Sequence, residues 1–346
     1  MTCSESFRLL LGIIDPNYQW GTNVSNLDPI KKHDLLKKTL KLAEKNGLRY
    51  YFIQRLKEYA IEITFIEKDE LTDENERSKD FIKTVDFINT ISKKYDIEYI
   101  LIKFFNTVPH IPNDIDLFIR KDERQKFMKI LEQNGMVCIH SSPAETKFKG
   151  QYRKIDIYTE ICYVGVEFID EKFLRQSVTQ NDLFEVKYSG LNKEADFLLL
   201  IPHALFGHRR LTLLDFLHLM NLKKDIRIKE CRQYAYDMRW GKVFDLMIIQ
   251  LDNMNEDIYK NKKTLCFPYT FEREFLLKCM YQLDNFEKQK FSLFFFNVSF
   301  YLEELEYRLE DTKLYSLIKS FGPARNLVNS ICAFVKNKRG DSKSIE

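Results

Sequence analysis

The chain has 346 residues, 45% of them hydrophobic and 30% charged, enough to bury a sizeable core and to divide into two or three lobes. Lys and Arg number 54 against 51 Asp and Glu, a formal charge of +3, so the net field does not by itself point to nucleic acid or a membrane, and any anion site must be local. Seven scattered cysteines, Cys3, Cys138, Cys162, Cys231, Cys266, Cys279 and Cys332, form no CxxC pair, which favours a reducing compartment and disfavours a structural zinc site. The opening MTCSESFRLLLGIIDPNYQW has no basic leader, and the most apolar run, FSLFFFNVSFYL (291–302), is too short to cross a bilayer. The expectation is a cytoplasmic protein with no membrane partner.

In chain order, DPIKKHDLLKKTLKLAEKNG predicts a helix with Asp28 as N-cap, Pro29 at its first position and Gly47 as its stop. LRYYFIQRLKEYAI predicts a second. After the acidic stretch EKDELTDENERSKD a third is expected from about Asn75 to Lys94, carrying Phe81, Ile82, Val85, Phe87, Ile88 and Ile91. At Ile97 the pattern turns to strand in IEYILIKF, then to a turn with two prolines, NTVPHIPN, and to a second strand, DIDLFI (114–119). DERQKFMKILEQNG reads as a helix with Asp122 and Gln125 set as a capping box and Gly135 as terminator. MVCIH (136–140), YRKIDIYTEI (152–161) and YVGVEFI (163–169) have strand content.

Helical period returns beyond about Glu194 in EADFLLLIPHALFG, LTLLDFLHLMNL, WGKVFDLMIIQL and FEREFLLKCMYQL, and again in NLVNSICAFVKNK. The fold class expected is α+β: a small mixed sheet (96–192) between a helical N-terminal lobe (1–95) and a helical C-terminal lobe (193–346).

The chemistry concentrates in NDIDLFI. Residues i and i+2 of a strand share a face, so Asp114 and Asp116 project together while Ile115 and Leu117 point the other way. Two carboxylates about 4 Å apart repel by roughly 4 kcal/mol at an effective dielectric near 20, which calls for a counter-charge. A divalent cation is the obvious one, because Mg²⁺ binds through one or two carboxylates plus substrate phosphate oxygens. A later strand, KIDIYTE, places a third acid, Asp156, between Ile155 and Ile157. If the two strands are neighbours, the three acids suit a two-metal phosphoryl-transfer site.

With a preceding strand, a proline-bearing turn, the hDhDh strand and the later hDh strand, the sequence resembles the DNA polymerase β-type nucleotidyltransferase superfamily. It resembles more narrowly an uncharacterised nucleotidyltransferase family with helical N- and C-terminal lobes. The resemblance covers about Leu35 to Leu251 and is carried by LLKKTLKLAEKNGLRYYFIQRLKE, by YILIKF before NDIDLFI, and by ADFLLLIPHALFGHRRLTLLDFLHLMNL. It implies that Asp114, Asp116 and Asp156 are catalytic and hold Mg²⁺ (or Mn²⁺), with Asp156 helping to activate the attacking hydroxyl. Lys103, with Asn106 and Thr107, would contact the nucleotide. The implied reaction moves a nucleoside monophosphate from an NTP, ATP among them, to a hydroxyl of a small molecule, an RNA or a protein. Alanine at Asp116 is expected to abolish turnover with the fold intact.

One departure bears on activity. The superfamily has Gly-Ser or Gly-Gly after the first core strand, where this chain has IKFFNT, with Phe104 at the narrower family's glycine. Two alternatives therefore stand beside the transferase: a catalytically silent nucleotide- or partner-binding module of the same fold, and a sugar-nucleotide glycosyltransferase with a metal-bearing Asp-x-Asp. Among other cations, Arg209 or Arg210 in PHALFGHRR is a candidate for substrate phosphate, and Arg120, Lys121 and Arg124 are surface groups unless the cleft extends to them. Lys154 shares the face of Asp156 and is placed to pair with an acid. His203 and His208 are five apart, the wrong spacing for one face of an α-helix, and so a poor zinc pair.

Overall fold

The computed structural model describes residues 3–18, 28–61, 63–64, 66, 68–104, 107–142, 144–163, 166–260, 265 and 267–283. The fold is α+β, as the sequence predicts. It opens with four helices, α1 (Cys3–Ile14), α2 (Pro29–Lys45), α3 (Arg49–Glu58) and α4 (Lys68–Tyr95). Asp28 caps α2 by accepting from the backbone N–H of Ile30 and Lys31, and Gly47 ends its turn at φ 72°. Helix α4 starts earlier than the expected Asn75: the acidic run before it contains no Gly or Pro, and carboxylates suit a helix N-terminus.

Strand β1 (Tyr99–Leu101) and β2 (Asp114–Ile119) are followed by α5 (Arg124–Gln133), β3 (Val137–Ser141), β4 (Glu145–Lys149) and β5 (Lys154–Tyr158). The five strands form one mixed sheet in the order β1-β2-β5-β4-β3. Within it β2 and β5 run parallel and the other neighbours antiparallel. Three local expectations need correction. The capping box on α5 does not form, because Asp122 is held instead by the Arg120 guanidinium, at 2.9 Å from Nε and 2.6 Å from Nη2. Strand β4 was not foreseen. The segment 152–161 is not one strand; it divides into β5 and the start of a separate hairpin, β6 (Ile161–Tyr163) with β7 (Val166–Ile169).

Beyond α6 (Glu171–Gln176), β8 (Val178–Leu183) and β9 (Val186–Leu191) make a hairpin that the sequence did not announce. Its two-residue turn, Phe184-Glu185, takes φ values of 53° and 66° without glycine, asparagine or aspartate. The chain then continues through α7 (Lys193–Pro202), a π-helix at His203–His208, β10 (Arg210–Leu211), α8 (Leu213–Asp225), α9 (Ile228–Asp237) and α10 (Gly241–Asn255). A second π-helix (Glu256–Lys260), β11 (Tyr269–Thr270) and α11 (Arg273–Tyr281) follow. The predicted elements beyond 283, including NLVNSICAFVKNK, lie outside the described residues. Among the described residues no helix is long and apolar enough to cross a membrane.

The buried side chains fall into two clusters, one on each face of the sheet. Ile115, Leu117 and Ile119 of β2 join Ile155 and Ile157 of β5, and Phe81, Val85 and Ile88 of α4 cover them. On the opposite face Ile100 and Phe118 pack with the helices after residue 193 and with α1–α3. The first three helices therefore share a core with the last ones. Asn46, fully buried at the end of α2, ties them together by accepting from Leu213 N at 3.0 Å and donating to Phe267 O at 3.3 Å. Phe118 lies four residues after Asp114 on the acid-bearing face of β2, so that strand meets the larger core at one end and a cleft at the other.

Candidate active site

Parallel pairing of β2 with β5 sets Asp114 opposite Lys154 and Asp116 opposite Asp156. All four side chains share one face, since β2 buries Ile115 and Leu117, and β5 buries Ile155 and Ile157, on the other. The unforeseen strand β4 completes the group: Lys147 is the partner of Asp156, and Glu145 the partner of Tyr158.

Each acid has an ammonium beside it. Lys103 donates to Asp116 Oδ1 at 3.1 Å, Lys154 to Asp114 Oδ2 at 3.2 Å and to Asp156 Oδ2 at 3.0 Å, and Lys147 to that same oxygen at 3.0 Å and to Glu145 Oε1 at 2.9 Å. Asp156, 2% exposed, keeps Oδ1 buried without a hydrogen-bond partner.

Lys103 follows β1 in the left-handed region at φ 59°, a conformation that costs a non-glycine residue on the order of 1–3 kcal/mol. The neighbouring contacts offset it. Its Nζ lies 4.0 Å from the centre of the Tyr158 ring as well as against Asp116. Burial works against the Lys103 charge, but the Asp116 carboxylate outweighs it and holds the ammonium above its ordinary value. Asp116 is itself pushed up by burial, with Asp114 and Asp156 adding repulsion, against the pull of Lys103. Lys147 is likewise raised, Glu145 and Asp156 overcoming its burial.

Asp114, Asp116 and Lys103 line a cleft of about 430 Å³ between the sheet and the helices, within the range of small-ligand sites. Asp156 is not among its lining residues. Arg49, Glu74 and Arg77 from α3 and α4 form one wall, with Arg77 donating to Asn113 at 2.7 Å. His203, His208 and Arg210 form another. The five-residue spacing of the histidines, wrong for an α-helix, brings their rings to 4.3 Å because the segment winds as a π-helix. Tyr163 Oη lies 3.0 Å from His203 Nδ1, and burial, with Lys103 and His208 nearby, drives His203 well below its ordinary pKa.

The remaining candidates separate by environment. Thr107 does not line the cleft; its hydroxyl lies 2.5 Å from His218 Nδ1, and His218 Nε2 lies 2.8 Å from Asp196 Oδ2 in the core. Asn106 lies outside the described residues. Arg210 faces the cleft, whereas Arg209 is buried. Arg120 and Lys121 pair at the surface with Asp122 and Glu160, and Arg124 donates to Thr146 Oγ1 at 3.1 Å. Lys147, Glu145 and Tyr158 were missed by sequence reasoning. The alternation of ETKFK, with Thr146 and Phe148 buried between charged residues, is the signal that would have revealed their strand.

Among the described residues no group of three or more His, Cys, Asp or Glu side chains is arranged to hold a metal ion. Asp114 and Asp116, each with one oxygen not engaged by lysine, do fit the hard oxygen donor set that Mg²⁺ takes together with substrate phosphate. Asp156 is held by lysines instead.

No family model matches the chain, and no curated protein matches it. Among solved structures it is similar to the lincosamide antibiotic adenylyltransferase LnuA in its lincomycin-bound crystal structure, at 21% identity and a TM-score of 0.32, over 42% of this chain and 97% of that one. At that TM-score the likeness adds no argument about function.

Proposed function

We propose that the protein is a nucleotidyltransferase that moves a nucleoside monophosphate from an NTP to a hydroxyl of an acceptor. The observation that carries this reading is the parallel register of β2 and β5, which gathers Asp114, Asp116 and Asp156 on one sheet face, two of them at a cleft that also holds Lys103. The resemblance of NDIDLFI and KIDIYTE to the polymerase β-type superfamily supports it.

In this reading Asp114 and Asp116 hold Mg²⁺ (or Mn²⁺). When bound, the ion supplies Lewis-acid neutralisation of charge on the transferring phosphoryl group. Lys103 stays protonated at the cleft and stabilises triphosphate oxygens, and Arg210 and Arg77 offer further charge-assisted donors to phosphate. The acceptor oxygen bonds to the α-phosphorus as the bond from that phosphorus to the bridging oxygen breaks. Pyrophosphate departs with the electron pair. The hydroxyl proton is released to water, since phosphoryl transfer through a loose transition state depends on positioning and electrostatics more than on a strong base. Asp156, expected from the sequence to serve as second-ion ligand or base, acts here as the counter-charge that fixes Lys147 and Lys154.

The test is pyrophosphate release from labelled NTPs with Mg²⁺ or Mn²⁺ against RNA, protein and small-molecule hydroxyl pools. Asp114→Asn is the informative variant, because its side chain is 39% exposed. Asp116→Ala, expected from sequence to spare the fold, would leave the Lys103 ammonium unpaired in the interior. Transfer by the wild type and its loss in Asp114→Asn are expected; full activity in Asp114→Asn refutes the site.

A second reading, a silent nucleotide-binding module, is favoured by one observation: lysines already neutralise each of the three acids. NTP·Mg²⁺ binding by calorimetry with no pyrophosphate from any pool decides for it.

A further inference from the structure

Resting on the transferase reading, we propose that Lys154 takes the part of the second divalent cation, so that the protein works with one ion. Lys154 Nζ bridges Asp114 Oδ2 and Asp156 Oδ2 at 3.2 and 3.0 Å. A second ion joining the first acid to the third would have to displace that ammonium from both carboxylates.

Three observations oppose the displacement. Lys147 grips the same Asp156 oxygen at 3.0 Å and is anchored in turn by Glu145 at 2.9 Å, so expelling Lys154 leaves Asp156 still engaged. The four carboxylates Asp114, Asp116, Asp156 and Glu145 face three ammoniums, those of Lys103, Lys147 and Lys154. The cluster with Lys154 thus carries a single net negative charge, which one divalent ion already outweighs, whereas loss of the Lys154 charge adds a second negative charge to offset a further ion. Finally, Asp156 does not line the cleft, so an ion arriving with substrate meets only Asp114 and Asp116. Loss of the Lys154 ammonium releases Asp114 Oδ2 and leaves Asp156 Oδ2 to Lys147 alone, and the partnerless, buried Oδ1 of Asp156 is a further oxygen donor for a second ion.

The experiment counts Mn²⁺ ions bound per protein by electron paramagnetic resonance, at saturating α,β-methylene-ATP, in the full chain and in Lys154→Met, Lys154→Gln and Lys154→Arg. One ion is expected in the wild type and in Lys154→Arg, and two in the neutral variants. Should Lys154→Met fail to fold, Lys154→Gln, which keeps a hydrogen-bond donor without the charge, carries the comparison. Two ions in the wild type, none in the wild type, or the same number throughout overturns the proposal. Pyrophosphate release is measured separately: a wild type that turns over with two bound ions sinks the lysine assignment alone, whereas one that binds a single ion yet releases no pyrophosphate with any acceptor sinks the transferase reading.

Discussion

Lys103 Nζ lies 3.1 Å from Asp116 Oδ1, with the two side chains only 7% and 16% exposed, so both partners are largely shielded from water. Removing one member of a buried pair typically costs about 3–5 kcal/mol, because the other charge stays behind. Lys103→Met should therefore destabilise the protein by about that much at pH 7.5 in urea denaturation. Asp116 already sits above its ordinary pKa, and loss of Lys103 raises it further. The deficit relative to wild type should shrink as the pH falls, because the orphaned carboxyl takes up a proton more readily than the lysine-paired one. Lys103→Met with Asp116→Asn should recover most of the loss; a deficit independent of pH would contradict this.

His203 makes a separate prediction about acid. Its neighbours are Tyr163, His208 and Lys103, and burial holds its pKa well below the usual value. Between that depressed value and about 6.5, the value of an unfolded histidine, the unfolded chain binds a proton that the folded chain refuses. Stability from this group is thus complete above pH 6.5 and falls as the pH drops, by up to about 1.4 kcal/mol per pH unit. His203→Gln should flatten the stability profile between pH 6.5 and 5; an unchanged slope would assign the acid sensitivity to other groups.

The chain Thr107–His218–Asp196 joins the loop after β1 to α8 and α7. Thr107→Val removes the hydroxyl that meets His218 Nδ1 in a buried setting and should cost about 1–3 kcal/mol, whereas Thr107→Ser, which keeps the hydroxyl, should cost less than half as much. His218→Phe leaves the Asp196 carboxylate buried without its donor and should cost more than either. Combined with Thr107→Val it should be clearly less than additive, as a shared network requires. Strict additivity in a double-mutant cycle would show that the three groups do not act as one.

Gly207 gives a test whose sign is diagnostic. In an exposed helix, glycine to alanine stabilises by roughly 1 kcal/mol. Here an added Cβ would stand 3.0 Å from His203 Nδ1 and 3.1 Å from Tyr163 Cε1, so Gly207→Ala should destabilise by about 1–3 kcal/mol through overpacking. A raised melting temperature would mean that the histidine wall of the cleft yields easily.

The hDhDh strand could be read because strand alternation is a local rule: Ile115 and Leu117 go to one face, so Asp114 and Asp116 go to the other, whatever the rest of the chain does. The same holds for the cap of α2 by Asp28, which depends on atoms two and three residues away. The α5 cap failed for an equally local reason, since Arg120 competes for Asp122 with a two-pronged ion pair that a capping pattern does not weigh. Strand β4 was overlooked because lysines at 147 and 149 look like solvated positions until a buried carboxylate claims one of them.

By itself, then, the sequence determined the fold class, the face each acid takes, and the lysine that follows the first core strand, since these depend on residues a few positions apart. Local alternation also put Lys154 beside Asp156, but only tertiary structure decided that Lys103 and Lys147 join it in neutralising the acids. Lys103 and Lys147 reach them from other strands, the cleft's histidines and arginines come from segments dozens of residues away along the chain, and Thr107 meets a histidine still farther off, His218. Electrostatic attraction acts through space rather than along the chain, so which charges meet is settled by strand order and helix packing, neither of which a local pattern encodes.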